Sequence, residues 1–287
     1  MTQWFAHPNY DAYWEAEDCA RHFDRMNVPC LTIGSWFDFM NQGSIASFLG
    51  RQHRGGPQSL RQQQLLIGPW LHGRRNKGYQ VGELHFPEHA AISVHDSMVA
   101  WFDQHLKGKP APTQHDQAPV KYYVMGAAGE PGAPGNLWRS AADWPPPARI
   151  MPLYLGASPS AEGVLQHTEP TDPAASTSYQ SDPRHPMRIP GRSFPGARDA
   201  RPFETQSEVL TFTSTALEQP VEWTGPVEAE LYFSSTARDT DLIVRVCDVY
   251  PDGRSILLIG YPWRLRYREG FRHEVLLSPD EVVKVRF

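Results

Sequence analysis

Two short apolar runs decide what this chain can fold into. Val28-Pro29-Cys30-Leu31-Thr32-Ile33-Gly34 and Gln64-Leu65-Leu66-Ile67-Gly68 each build to an apolar stretch and stop at a glycine. Runs of this kind, without polar alternation, read as short strands buried on both faces. Helix-like stretches precede, separate and follow them, at 12–25, 40–54 and 88–107. The last is amphipathic, with Ile92, Met98, Trp101, Phe102 and His105-Leu106 on or near one face. Strand, helix, strand, helix predicts a parallel sheet covered by helices.

The character of the sequence changes near residue 115. Beyond it, period-2 runs at Val120–Met125, Met151–Leu155, Glu208–Thr213, Val227–Ser234, Asp241–Val249 and Ile256–Gly260 read as short strands, and Arg264–Arg268 continues the pattern. The alternation there puts Arg264, Arg266 and Arg268 on one face, as a salt-bridged sheet surface or a domain interface. Pro251-Asp252-Gly253 is a hairpin turn signal. Residues 157–207, rich in Ser, Pro, Asp and Arg, read as a long irregular excursion with a few short strands. Short strands with long polar connections predict a β-sandwich or jelly roll. The expected fold class is therefore α/β plus all-β, divided at 1–117 and 118–287.

Composition excludes several function classes. Lys plus Arg is 27 against Asp plus Glu 32, a net charge of −5, which gives no electrostatic reason to expect nucleic acid or an anionic membrane as partner. No stretch approaches the roughly 18 apolar residues of a membrane span. The first ten residues lack the basic and apolar regions of a signal peptide, and a cytoplasmic location is expected. The cysteines, Cys19, Cys30 and Cys247, are odd in number and have no CxxC spacing, so each reads as a small buried hydrophobe. His85, His89 and His95 lack partners at metal-ligand spacing. Neither metal nor cofactor is expected. The run from Ala237 to Ser255 lacks the ligand spacing of a calcium loop, and Asp239, Asp241 and Asp248 read as residues tying strands and turns together.

In open α/β sheets, sites form at the carboxyl ends of strands. Asp38 follows Leu-Thr-Ile-Gly-Ser-Trp-Phe, and His72 follows Leu-Leu-Ile-Gly-Pro-Trp-Leu. Neighbouring parallel strands would bring these two loops side by side. A carboxylate holding a histidine is what a hydroxyl nucleophile needs: the imidazole takes the proton, and the carboxylate fixes its tautomer. The plainer reading of Asp38 is a cap on the helix at 40–54. Trp36 and Trp70 flank the pair and suit either an acyl pocket or core packing; Phe37 and Phe39 lean toward core. An α/β-hydrolase nucleophile sits in a G-x-S-x-G elbow ahead of the acid and the histidine. No such elbow precedes Asp38, and Ser35, Ser44 and Ser47 lack glycines in the right places.

The segments HPNYDAYW (7–14), VPCLTIGSWFDF (28–39), LLIGPWLHG (65–73), WFDQHLKG (101–108) and VKYYVMG (120–126) resemble the CocE/NonD serine hydrolases. So do RPFETQSEVLTFTS (201–214), PVEAELYFSSTARDTDLIVRVCDVYPDGRS (226–255) and RLRYREGF (264–271). That family includes cocaine esterases, X-Pro dipeptidyl-peptidases and α-amino acid ester hydrolases. The resemblance implies the C-terminal part of an α/β-hydrolase core followed by a jelly-roll, galactose-binding-like β-sandwich. It implies Asp38, closing a G-W-x-D-like motif that here carries an additional Ser35, as the triad acid. It implies His72, closing G-P-W-x-H, as the triad histidine. The family's serine elbow, its oxyanion-hole tyrosine and most of its cap come before the part matched, and its jelly roll runs on past Phe287. The expectation is an internal portion of a longer acyl hydrolase, inactive alone, acting on a small ester or amide with a serine-bearing half as partner. Exposed apolar surface left by the missing half would favour self-association. The alternative is a non-catalytic binding or structural module that keeps a remnant hydrolase domain.

Overall fold

The computed structural model describes residues 2–73, 79–110, 118–157, 162–172, 175–187 and 197–287. The helical stretch expected over 12–25 is broken in two. After a short helix α1 (Thr2–Ala6), α2 spans Ala12–Glu17, and a 3₁₀ turn follows at Cys19–Arg25. The break falls at Asp18, whose carboxylate accepts the Ala20 N–H and the Tyr10 hydroxyl. An aspartate serving as a cap competes with helix continuation.

The central sheet is built from β1 (Leu31–Phe37) and β2 (Gln64–Leu71), parallel neighbours joined through α3 (Asn41–Arg54). Two short strands, β3 (Gln80–Val81) and β4 (Leu84–His85), form a small ribbon after them. The amphipathic stretch at 88–107 also divides. A 3₁₀ turn at Glu88–Ala90 precedes α4 (Val94–Lys107), which Ser93 caps through the Asp96 N–H at 3.1 Å. Gly108 closes α4 in the left-handed conformation (φ 66°), where a side chain would be strained. In α4 the buried residue is Trp101, while Met98, Phe102 and Leu106 stand exposed in an i, i+4, i+8 row.

β5 (Val120–Val124) is where the sequence reading needs correcting. It was expected to begin the β-rich part, but it pairs in parallel with β2, and β6 (Leu137–Ala141) pairs antiparallel with it, giving the order β1-β2-β5-β6. The parallel sheet thus extends past residue 118. Short runs with period-2 character look alike whether the partner strand is parallel or antiparallel. The residues between α4 and β5, 111–117, lie outside the described residues.

The C-terminal part is β-rich. β7 (Tyr154–Gly156), β8 (Glu162–Gln166) and β9 (Thr211–Thr213) form one sheet, with the short α5 (Arg201–Glu204) before β9. β10 (Glu230–Phe233) pairs with β13 (Val283–Arg286). β11 (Asp241–Val249) and β12 (Ser255–Arg264) form a long hairpin, turned at Pro251-Asp252-Gly253 with Gly253 at φ 85°. Much of the 157–207 excursion lies outside the described residues. The strand pattern does not run on to Arg268: β12 ends at Arg264 and a 3₁₀ turn occupies Leu265–Tyr267. Arg264 pairs with Asp241, Arg266 with Asp239 and Glu274, and Arg268 donates to the carbonyls of Leu265 and Val275. Of the cysteines, Cys19 is exposed, not buried; Cys30 and Cys247 are partly covered. Among the described residues no helix is long and apolar enough to cross a membrane.

The two parts share a core. Phe37, Val81, Leu84 and Phe86 pack with Tyr123, Ala128, Tyr250 and Ile256 in one cluster, so the β11–β12 hairpin closes over the sheet. A second cluster, Phe48, Leu65, Ile67, Val120, Tyr122 and Trp144, lies between α3 and the sheet. The chain's start is held at the far end. Tyr10 N–H donates to the Phe271 carbonyl at 2.7 Å, Tyr267 donates to Asn9, and Arg272 pairs with Glu15.

Candidate active site

Pairing in the sheet brings Asp38 and His72 to one level. Ser35 lies opposite Gly68, but Phe37 lies opposite Leu71, so β2 spends one residue more than β1 between these pairs. The extra residue falls at Pro69-Trp70. Proline has no N–H to give a ladder bond, and a bulge is where a strand tolerates that loss. Without the bulge, Leu71 would stand opposite Asp38; with it, the next residue on each strand is Asp38 on one side and His72 on the other.

The two side chains meet there. His72 Nδ1 lies 3.0 Å from Asp38 Oδ1 and 3.0 Å from Oδ2. An ionised carboxylate can only accept, so Nδ1 carries the hydrogen and Nε2 is left as the acceptor. Asp38 is 15% exposed and His72 49%, so the carboxylate is sheltered while the imidazole opens to solvent. Asp38 also serves the turn: its Oδ1 accepts the Met40 N–H at 2.8 Å, and its carbonyl accepts the Asn41 N–H at the start of α3. The cap and the histidine anchor are one side chain. Among the described residues no hydroxyl lies within hydrogen-bond distance of His72; Ser35 is buried in β1, and Ser44 donates to the Met40 carbonyl.

Of the two readings of Trp36 and Trp70, their contacts are those of core packing. Trp36 donates to the Tyr123 carbonyl at 2.6 Å and tilts against Trp144. Trp70 is buried, donates to the Ala90 carbonyl at 3.4 Å and tilts against Trp138. Both indoles brace the loops from within the core. The ring beside the imidazole belongs to Phe39, 4.8 Å from it and 59% exposed, where core was expected. The signal for it was position, the residue after the acid, where a loop side chain has no strand face to be buried on. Tyr123, beneath Trp36, has a buried hydroxyl without a partner among the described residues, and burial pushes its pKa up to about 12, so it stays neutral. His89 is bound to the Asn136 carbonyl, and among the described residues no three His, Cys, Asp or Glu side chains cluster as metal ligands.

The model of the X-Pro dipeptidyl-peptidase C-terminal non-catalytic domain matches residues 113–287, and that of the X-Pro dipeptidyl-peptidase S15 family matches 1–74. The chain belongs to the CocE/NonD family. This CocE/NonD chain is 30% identical over 294 residues to a cocaine esterase of Rhodococcus sp. (strain MB1 Bresler), covering 97% of this chain and 48% of that protein. Among solved structures it is similar to an aminopeptidase from a marine sediment Thaumarchaeota archaeon (TM-score 0.78, 25% identity) and to an α-amino acid ester hydrolase (TM-score 0.77, 26% identity). Each of these likenesses covers 98% of this chain and 48% of the other. The chain thus spans about half the length of the relatives it matches. Its family is one of serine esterases and peptidases, and the hydrolase fold plus a C-terminal β domain agrees with these neighbours.

Proposed function

We propose that Asp38 and His72 are the acid and the base of a serine acyl hydrolase whose nucleophile lies on polypeptide beyond these 287 residues. What carries the reading is the contact of His72 Nδ1 with both Asp38 oxygens at 3.0 Å, which leaves Nε2 free toward solvent. In this reading the serine hydroxyl gives its proton to Nε2 as it attacks an ester or amide carbonyl. The imidazolium then hands that proton to the leaving group, and water repeats the cycle on the acyl-enzyme. Asp38 holds the ring and stabilises its charged form. Phe39 forms an apolar wall beside the reacting centre, and Trp36 and Trp70 hold the two loops from below. Residues 1–117 are taken as hydrolase core and the β-rich part from 118 onward as the jelly roll, apart from β5 and β6, which complete the core sheet. A serine-bearing half, covalently continuous or separate, is the partner.

The test has two arms. The chain alone should not turn over p-nitrophenyl esters; turnover that His72→Ala abolishes would place the nucleophile within these residues and overturn that part. In enzyme completed by the serine-bearing half, Asp38→Asn should lower kcat by on the order of 10⁴ through the wrong tautomer. An unchanged kcat would remove the pair from catalysis.

A further inference from the structure

A second recess lies away from the acid–histidine pair. It is an open recess of about 660 Å³ between the sheet and two irregular segments, within the range of about 300–1,000 Å³ usual for small-molecule sites. Tyr122 forms its inner wall. Pro146, Pro147, Arg149 and Met151 line one side, and Glu222 and Trp223 the other. Tyr122 pairs with Ile67 on β2, five residues before His72. At about 3.3 Å per residue, the recess is on the order of 15 Å from the candidate active site.

Three features give the recess a chemistry. The first is charge. Arg139 is matched by Glu222 at 2.8 Å, and Glu222 also accepts from the Thr224 hydroxyl. Arg149 has no carboxylate partner among the described residues, so the lining carries two guanidiniums against one carboxylate. The second is an unused donor. Tyr122 is 3% exposed, packs edge-on to Trp144 at 5.6 Å, and its hydroxyl makes no hydrogen bond among the described residues. Tyr122 lines the recess, and a hydroxyl there can donate to a ligand oxygen. Burial, with Glu222 nearby, raises the Tyr122 pKa, so the hydroxyl keeps its proton to donate. The third is apolar surface. Trp223 is 50% exposed and Met151 41%, and the two adjacent prolines make a stiff wall that loses little entropy on binding.

We propose that this recess binds a small monocarboxylate with an aromatic or branched aliphatic body, its carboxylate held by Arg149 and the Tyr122 hydroxyl and its body laid against Trp223 and Met151. Planar guanidinium and carboxylate match in shape as well as charge. Glu222, already paired with Arg139, turns away a second carboxylate and limits the ligand to one. The inference stands apart from the acid–histidine reading, since no residue is shared.

The probe is benzoate, titrated into the full chain by calorimetry and by indole fluorescence, with benzylamine and benzyl alcohol as controls. Benzoate should bind with the other two weaker by about tenfold or more, the scale of a charge-assisted hydrogen bond. Arg149→Gln and Tyr122→Phe should each weaken benzoate, Arg149→Gln by about tenfold. Thermal melts of both variants identify any loss of fold, and Arg149, lying on the surface, leaves the sheet undisturbed. His72→Ala should leave binding unchanged. Equal binding of benzylamine, no effect of Arg149→Gln in a folded variant, absence of benzoate binding, or loss of binding in His72→Ala would each overturn the proposal.

Discussion

Asp38 shows how one side chain can satisfy two readings of the same position. The sequence offered a helix cap and a catalytic acid as alternatives, and the carboxylate accepts both the Met40 N–H and the His72 ring. The two duties separate by substitution. Asp38→Asn keeps an oxygen for the turn and should unfold in urea close to the parent midpoint. Asp38→Ala removes the acceptor and should cost about 1 kcal/mol, the usual size of a lost cap. Equal destabilisation by both would show that the turn bond contributes nothing. Phe39 was misread for a related reason: residue type suggested core, but a residue just past a strand end is placed by the loop, and here the ring meets the imidazole.

At the scale of elements, the bulge in β2 is the decisive piece. Every residue type in Gly68-Pro69-Trp70 has a reason there. A Cβ on Gly68 would lie 2.3 Å from the Trp70 ring, so the glycine allows the indole to fold back over its own strand. Pro69 is fully buried where no ladder N–H is needed. Gly68→Ala must push Trp70 aside, and overpacking of this kind costs about 1–3 kcal/mol. Because Trp70 braces the loop that carries His72, the variant should also lose part of the Asp38–His72 contact. The check is a urea melt together with the imidazole ¹H–¹⁵N shifts of His72; a parent-like melt and spectrum would mean that the indole is free to move. The strands around this bulge were legible from two apolar runs ending in glycine, and α3 almost to the residue. The bulge was not, because a proline in a strand signals irregular pairing without saying which partner residue loses its place.

The whole molecule offers two features that favour association, an edge strand and an apolar helical row. β1 lies at the edge of the sheet in the order β1-β2-β5-β6, and α4 turns Met98, Phe102 and Leu106 outward. An open strand edge and an apolar helical row are templates for association. The chain by itself should form oligomers in sedimentation velocity, and a Met98→Lys, Phe102→Lys double substitution should shift it toward monomer. A monodisperse monomer for the unaltered chain at tens of micromolar would count against this. The amphipathic pattern predicted the stripe on α4, but which of its residues would be covered depended on neighbours the local sequence does not name.

The sequence by itself determined the strand–helix alternation, the β-rich second part, the hairpin at Pro251-Asp252-Gly253 and the two positions, Asp38 and His72, worth pairing. Those follow from period, turn chemistry and motif order, which are local along the chain. The tertiary structure decided that β5 joins the parallel sheet, that Arg264–Arg268 turns instead of extending, that Trp36 and Trp70 brace the core, and that Tyr122 and Arg149 line one recess. These depend on which distant residues supply the missing hydrogen bonds and the covering surface, and pairing across tens of residues leaves no imprint in a local pattern.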